Sequence, residues 1–496
     1  MNLPIRHSGA ALLVVLLLLI LGGLGWFLQQ TPTQAIRNGQ HQATAQALAE
    51  AREALLGYAA YYPESNSNPP AEAHPRAGFV PGHLPCPDTG NALGNEGAEA
   101  GSCGGKGVSA LGHFPWRSLG VPPPRDGAGE CLWYAVSGNY KANPKADLLN
   151  PDADALFAIV AANGTVLADQ VVAVLFSPGP TLPGQPRQYT DGECRWNYDA
   201  HHFLERLNGV DNGAPDAAPD AISRFIVAEP DAAFNDRLLW ITRDELFARV
   251  NARLPPDALF AGNYPDDADA LALTQRVAAC LMRFGEHTPR HRLPWAAPLN
   301  LTAAAPETFH FDRFADAKDL LAGRAPYSVG RSQKILAGDL LPGCPVSDPT
   351  HSACRLLVKD ACPDFLPVAG RPDGGSYNSH NGWWDKWKDH LFYVVAPGFA
   401  PDAAAAADCD ITPDACLQIG GHAYAAAVIF AGAPQAGQTR EGTSAKMQVS
   451  NYLEGENAIT LQTGGRKLER AGNDRIACIA YNAATTPGFR LVADCG

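Results

Sequence analysis

LWYAV at residues 132–136 and LFYVV at residues 391–395 are one block written twice, an apolar, β-rich pentapeptide suited to a buried strand. Around each copy, further blocks recur in the same order. VAVLF at 172–176 runs into a Gly/Pro turn and then Gly184-Gln185-Pro186-Arg187, while AAVIF at 426–430 runs into Gly437-Gln438-Thr439-Arg440. Asn235-Asp236-Arg237-Leu238-Leu239-Trp240-Ile241 matches Asn473-Asp474-Arg475-Ile476-Ala477-Cys478-Ile479, a turn dipeptide launching a strand. Upstream, Leu48, Ala51, Leu55, Tyr58 and Tyr62 fall on one helical face that should end before Pro63, and Leu84-Pro85-Cys86 follows. Leu273, Val277, Leu281 and Phe284 mark a second such face, with Pro289 and then Leu293-Pro294-Trp295 after it. Five matches in order predict two homologous lobes, each a helix followed by a strand-rich unit. Lobe 1 covers residues 63–254 and lobe 2 residues 265–496, joined around residues 255–268. Asp/Ala/Pro tracts at 213–221 and 400–408 read as surface insertions.

The chain has 496 residues, 46% hydrophobic and 18% charged, which suffices for a buried core and excludes disordered and fibrous classes. Lys plus Arg number 38 against 51 Asp plus Glu, a net charge of −13, and no basic run offsets the excess. Nucleic acid is therefore not an expected partner. The 48 glycines and 41 prolines imply short elements with many ordered loops and exclude a long all-helical architecture.

Residues 10–28 carry no charge, and 19 positions at 1.5 Å each make about 28 Å of helix, one bilayer crossing. With Arg6 and His7 before the run, the positive-inside tendency places residues 1–9 in the cytoplasm. The expected location is the inner membrane, single-pass, with the bulk of the chain in the periplasm. The run exceeds the apolar region of a cleaved signal peptide, and Trp26-Phe27-Leu28-Gln29-Gln30 offers no small-x-small cleavage site. All 12 cysteines follow it, an even count that reads as disulfides in an oxidising compartment. Cys409 with Cys416, and Cys478 with Cys495, would close short local loops.

Catalytic signatures are missing: there is no Gly-x-Ser-x-Gly elbow, no His-Glu-x-x-His and no Ser-x-x-Lys set, so no enzyme activity and no cofactor are expected. His287 and His291 lack a cysteine pair at finger spacing, and zinc is not expected. Gly104-Gly105-Lys106-Gly107 lacks the first Gly and the Ser/Thr of a phosphate loop. Asp88, Asn91, Asn95 and Glu96 offer hard oxygens for calcium but at the spacing of an Asx/Gly loop. Trp383, Trp384 and Trp387, near His390 and Tyr393, form either a binding platform or core packing ahead of the second-lobe strand. Arg187 and Arg440 are expected to pair with carboxylates inside each lobe.

Arg6-His7-Ser8-Gly9 followed by Ala10-Ala11-Leu12-Leu13-Val14-Val15 resembles the leader junction of type IV pilin-like proteins, which prepilin peptidase cuts after the Gly. The LPCPD and FNDRLLWIT blocks also look like those of large prepilin-like proteins. The resemblance implies a leader at 1–9, a mature start at Ala10 with a methylated amine, and a helix over 10–62 that is half membrane anchor and half spine. Gly22, Gly23, Gly25 and Pro32 weaken its middle. The implied fold class is α+β, a long N-terminal membrane and spine helix followed by two tandem, homologous, strand-rich pilin-like lobes. Most such proteins carry Glu where this chain has Val14, and a buried amine lacking its carboxylate disfavours a repeated shaft subunit. The implied function is that of a minor pilin, or of the K-type pseudopilin of type II secretion, acting at a filament tip in initiation or capping. Its partners would be prepilin peptidase, other minor pilins or pseudopilins, and the inner membrane. The alternative is a pilin-like exported adhesin or binding protein whose recognition site lies in lobe 2, at a filament tip or the cell surface.

Overall fold

A computed structural model describes residues 8–65, 81–90, 95–187, 194, 197–252, 264–287, 290–301, 307–327, 329, 386–404, 406–486 and 488–495. The two LWYAV-type blocks form the strands β2 (Trp133–Val136) and β10 (Leu391–Val395), both wholly buried. Each lies inside an antiparallel sheet. In the first, β2 is flanked by β1 (Ala110–His113) and β4 (Val166–Ser177), and β4 pairs on with β8 (Arg237–Thr242). In the second, β10 is flanked by β9 (Ala322–Arg324) and β13 (Ala426–Phe430), and β13 pairs on with β15 (Arg475–Tyr481). β16 (Phe489–Val492) closes the second sheet. The register is offset by one residue between the aligned blocks: Tyr134 faces Leu175, whereas Tyr393 faces Val428, the counterpart of Val174. Both tyrosine hydroxyls donate 3.1 Å hydrogen bonds to a proline carbonyl, of Pro85 and of Pro294.

The sheets differ at their edges. β4 is 12 residues long, and its first half pairs with β3 (Phe157–Ala161), to which β7 (Ser223–Val227) adds in parallel. A ribbon of β5 (Arg206–Leu207) and β6 (Val210–Asp211) precedes β7. In the second half of the chain, β11 (Leu417–Ile419), β12 (His422–Tyr424) and β14 (Lys467–Leu468) form a separate small sheet, with β11 and β14 parallel. Four disulfides brace these parts: Cys86–Cys103, Cys131–Cys194, Cys409–Cys416 and Cys478–Cys495. Cys280 is disulfide-bonded too, and among the described residues no cysteine is free.

A helix covers each main sheet. Of α1 (Ser8–Ser65), the buried face is Leu48, Ala51, Leu55 and Ala59, packed with Leu175, Val136 and Ile241. Tyr58 is only half-buried, because the face drifts along the helix. α2 (Arg243–Asn251) adds to the same cluster through Leu246 and Phe247, opened by the Thr242/Glu245 capping box. α3 (Asp267–His287) buries Leu273, Val277, Leu281 and Phe284 against Val428 and Ile479. Leu55 and Leu281 are both 0% exposed, each contributing about 1.5–3 kcal/mol of burial.

Two expectations are corrected. The architecture is not the α+β arrangement of a membrane and spine helix feeding two pilin-like lobes; it is a mixed α/β structure, mostly strands and sheets, with parallel pairs at β3/β7 and β11/β14 that a repeated antiparallel unit does not supply. The single-pass inner-membrane location, with cytoplasmic N-terminus and periplasmic bulk, also falls. Among the described residues no helix is long and apolar enough to cross a membrane. Nor does the middle of α1 break: its backbone runs through Gly22, Gly23, Gly25 and Pro32 and passes Pro63 to end at Ser65.

Candidate functional site

The Gly-Gln-x-Arg and Asn-Asp-Arg blocks meet in space to make the same buried knot in both lobes. In lobe 1, Gln185 accepts from the Leu182 amide at 2.9 Å and donates to Glu205 Oε1 at 2.7 Å. In lobe 2, Gln438 accepts from the Gln435 amide at 2.8 Å and donates to Glu454 Oε1 at 3.0 Å. The glutamate amide then donates to the aspartate of the second block, Asp236 at 2.9 Å or Asp474 at 3.2 Å. Asn212 and Asn457 donate to those same carboxyls, both at 2.9 Å. Asn235 and Asn473 tie the preceding turns through the carbonyls of Pro180 and Ala433, both at 2.6 Å. Arg187 stacks over Phe203 and Arg440 over Tyr452, with guanidinium-to-ring distances of 5.3 and 4.4 Å. Burial and the neighbouring Glu205 hold Asp236 well above the usual carboxylate range. Burial, with Glu454 beside it and against the opposing Asn457 hydrogen bond, pushes Asp474 up to about 8. Each knot therefore sets an aspartate whose burial favours the neutral acid beside a glutamate.

The arginines depart from the expected symmetry. Arg187 pairs inside its lobe with Glu130 at 3.4 Å. Arg440 instead reaches across to Asp152, on the segment between β2 and β3 of lobe 1, at 3.2 Å. Asp152 is the centre of the junction between the lobes. His390 Nε2 lies 2.9 Å from the same carboxylate, and the Tyr264 hydroxyl also donates to it. The other ring nitrogen of His390 faces the Ala431 carbonyl at 2.7 Å, with the Arg440 guanidinium 3.5 Å away. Burial alone would raise Asp152, but the His390 hydrogen bond and charge, with Arg440 and Tyr264, hold it well below the usual carboxylate range. Asp389 beside it accepts from Tyr452 at 2.9 Å and from Asn150 at 3.0 Å. Around this centre, Lys446 binds Asp154 at 2.9 Å, Lys388 donates to the Asp147 carbonyl, and Asn150 donates to the Lys386 carbonyl at 2.9 Å.

Asp152, Asp389 and His390 have donor atoms within 4.8 Å of one another, close enough in principle for a metal ion. The donor set fits one poorly: Asp152 already takes three donors, the Arg440 guanidinium among them, and Asp389 takes two. The chemistry of the cluster is that of an ion-paired joint.

The residues singled out from sequence scatter. Gly9 and Ala10 lie in the first turns of α1, and Val14 is 57% exposed on it. Trp383 and Trp384 lie outside the described residues. Trp387 is 0% exposed, packed against Phe430, His390 and Tyr264, and has no free face for a ligand. Asp88 is an Asx turn rather than a free oxygen donor, accepting from the amides of Gly90 at 2.9 Å and Gly97 at 2.7 Å. The Gly104–Gly107 loop turns carbonyls inward: Lys141 Nζ donates to Cys103, Gly105 and Val108 at 2.6, 2.6 and 2.7 Å. That loop presents acceptors, the opposite of a phosphate cradle. Sequence reading missed Asp152, Asp389 and Tyr264; the only local signal was the charge-dense Lys386-Trp387-Lys388-Asp389-His390 ahead of an apolar strand. No protein-family model, curated protein or solved structure matches the chain.

Proposed function

We propose that the chain is a non-catalytic assembly subunit of the pilin-like class, a minor pilin or pseudopilin acting at the tip of a type IV pilus or type II secretion filament, in initiation or capping. The observation that carries this reading is the division of α1. Its last third packs into the core beside a sheet, while Leu13, Val14, Val15, Leu16, Leu17, Leu18, Leu19, Ile20 and Leu21 project uncovered. Nine large apolar side chains in a row need a protein surface to cover them, and a bundle of like helices in a filament supplies it. Val14 places no carboxylate in such a bundle, which suits a subunit used once rather than a shaft of many copies. Lobe 2 supports the rival reading of a recognition surface less well, since Trp387 belongs to the core.

Chemical cross-linking in cells, followed by purification through a tag on the C-terminus, tests the proposal. Recovery of helical partners of the pilin class cross-linked within residues 10–35 is the expected result. A chain recovered uncross-linked, or joined only through its lobes, sinks it.

A further inference from the structure

We propose that the cleft between the two lobes docks an extended segment of a partner protein carrying a lysine or arginine beside an aliphatic residue. The cleft has a volume of about 350 Å³, at the lower end of the range for ligand-binding pockets. Its floor is apolar, made by Leu148 and Leu156 from the first half of the chain and Phe309 from the second. Immediately before β7, Ile222 also lines it and is 69% exposed, an apolar side chain left in water beside an apolar floor. Burying that side chain under a ligand would contribute about 1–2 kcal/mol.

The walls are acidic. They carry Asp147, Asp154, Asp220 and Glu441 against one ammonium, that of Lys446. Lys446 is spent on Asp154 at 2.9 Å, and Asp147 is held by Lys106 at 3.0 Å. The surplus negative charge therefore sits at Asp220 and Glu441. Partial burial raises Asp220 above the usual carboxylate range against the Asn139 hydrogen bond and the shared charge of Lys446, and an incoming cation would add to that compensation. Asn139, Gln170 and Thr443 add amide and hydroxyl groups to the same lining. Such groups suit a peptide backbone, which offers both donors and acceptors; a free polyamine has no acceptor to give them. Docking here requires only the cleft, whether or not the chain serves a filament.

The test uses the full chain and three labelled pentapeptides: acetyl-Ala-Leu-Lys-Leu-Ala-amide, a version with Glu in place of Lys, and one with Ser in place of both Leu. Fluorescence anisotropy should show the Lys peptide binding with a Kd on the order of 10–1,000 μM, weakened by salt, and the other two at least about tenfold more weakly. Ile222→Ser and Glu441→Lys both change exposed positions and should each weaken the Lys peptide by about fivefold or more while leaving Tm unchanged. Equal binding of the Lys and Glu peptides, or binding untouched by both variants, overturns the proposal. So does spermidine binding as tightly as the Lys peptide, which would assign the cleft to a free amine. Dimerisation in sedimentation that Glu441→Lys abolishes would assign it instead to a second copy of this chain.

Discussion

Asp152 is a buried carboxylate held by the Arg440 guanidinium and the His390 ring, and its charge rather than its shape is what the junction uses. Asp152→Asn leaves the buried Arg440 guanidinium without its carboxylate, an expected loss of about 3–5 kcal/mol at pH 7, read as a lowered urea midpoint. Because the folded carboxyl is held below its unfolded value of about 3.9, its contribution is fully present above that value and is lost as pH falls toward the folded one. The gap between wild type and Asp152→Asn should therefore shrink between pH 5 and pH 2; a constant gap would exclude the ion pair as its cause. Asp474 has the opposite sign. Its folded value is raised, so its stabilisation is fully present below about pH 4 and is lost as pH rises through about 8. Asp474→Asn, a neutral mimic of the protonated acid, should be worth about 1–3 kcal/mol more relative to wild type at pH 9 than at pH 5 in chemical denaturation. An unchanged difference across that range would mean that the knot with Glu454 does not share a proton.

At the scale of elements, α1 docks on lobe 1 by a close approach that only glycine permits. A side chain on Gly127 would begin 2.0 Å from the Gln40 carbonyl oxygen, and the Gly127 amide donates to Thr44 at 2.9 Å. Gly127→Ala should push the helix off this turn, costing about 1–3 kcal/mol and raising amide exchange over residues 40–48, whereas Gly101→Ala, with open space around it, should leave those amides protected. The elements were the legible part of the chain. β2, β10, β13 and β15 announce themselves because buried strands are continuous apolar runs, and the α1 and α3 faces because apolar residues return every three or four positions. Residues 10–28 misled by the same rule, since hydropathy counts apolar positions without asking what covers them. Arg440 misled differently. Its motif matches that of Arg187, and nothing local says that one arginine finds Glu130 within its lobe while the other finds Asp152 across the junction. That choice depends on how two sheets are set against each other, which no spacing encodes.

At the scale of the whole molecule, a tip subunit should be scarce. Quantitative mass spectrometry of sheared filaments should find this chain at a few per cent of the major subunit or less, with intact mass giving a mature start at Ala10; near-equal copy number, or a start at Met1, would refute the respective expectation. The joint between the lobes also constrains how the molecule is made. Asp152 meets His390 across 238 positions of the chain and Arg440 across 288. At roughly 5–20 residues per second, the ribosome delivers Arg440 about 15–60 seconds after Asp152 has emerged. Throughout that interval the nascent first lobe holds a carboxylate shaped for burial without the guanidinium that neutralises it. Completion of that surface has to wait for the end of translation, and a message cut short before Arg440 yields a first lobe whose joint stays open to chaperones and proteases.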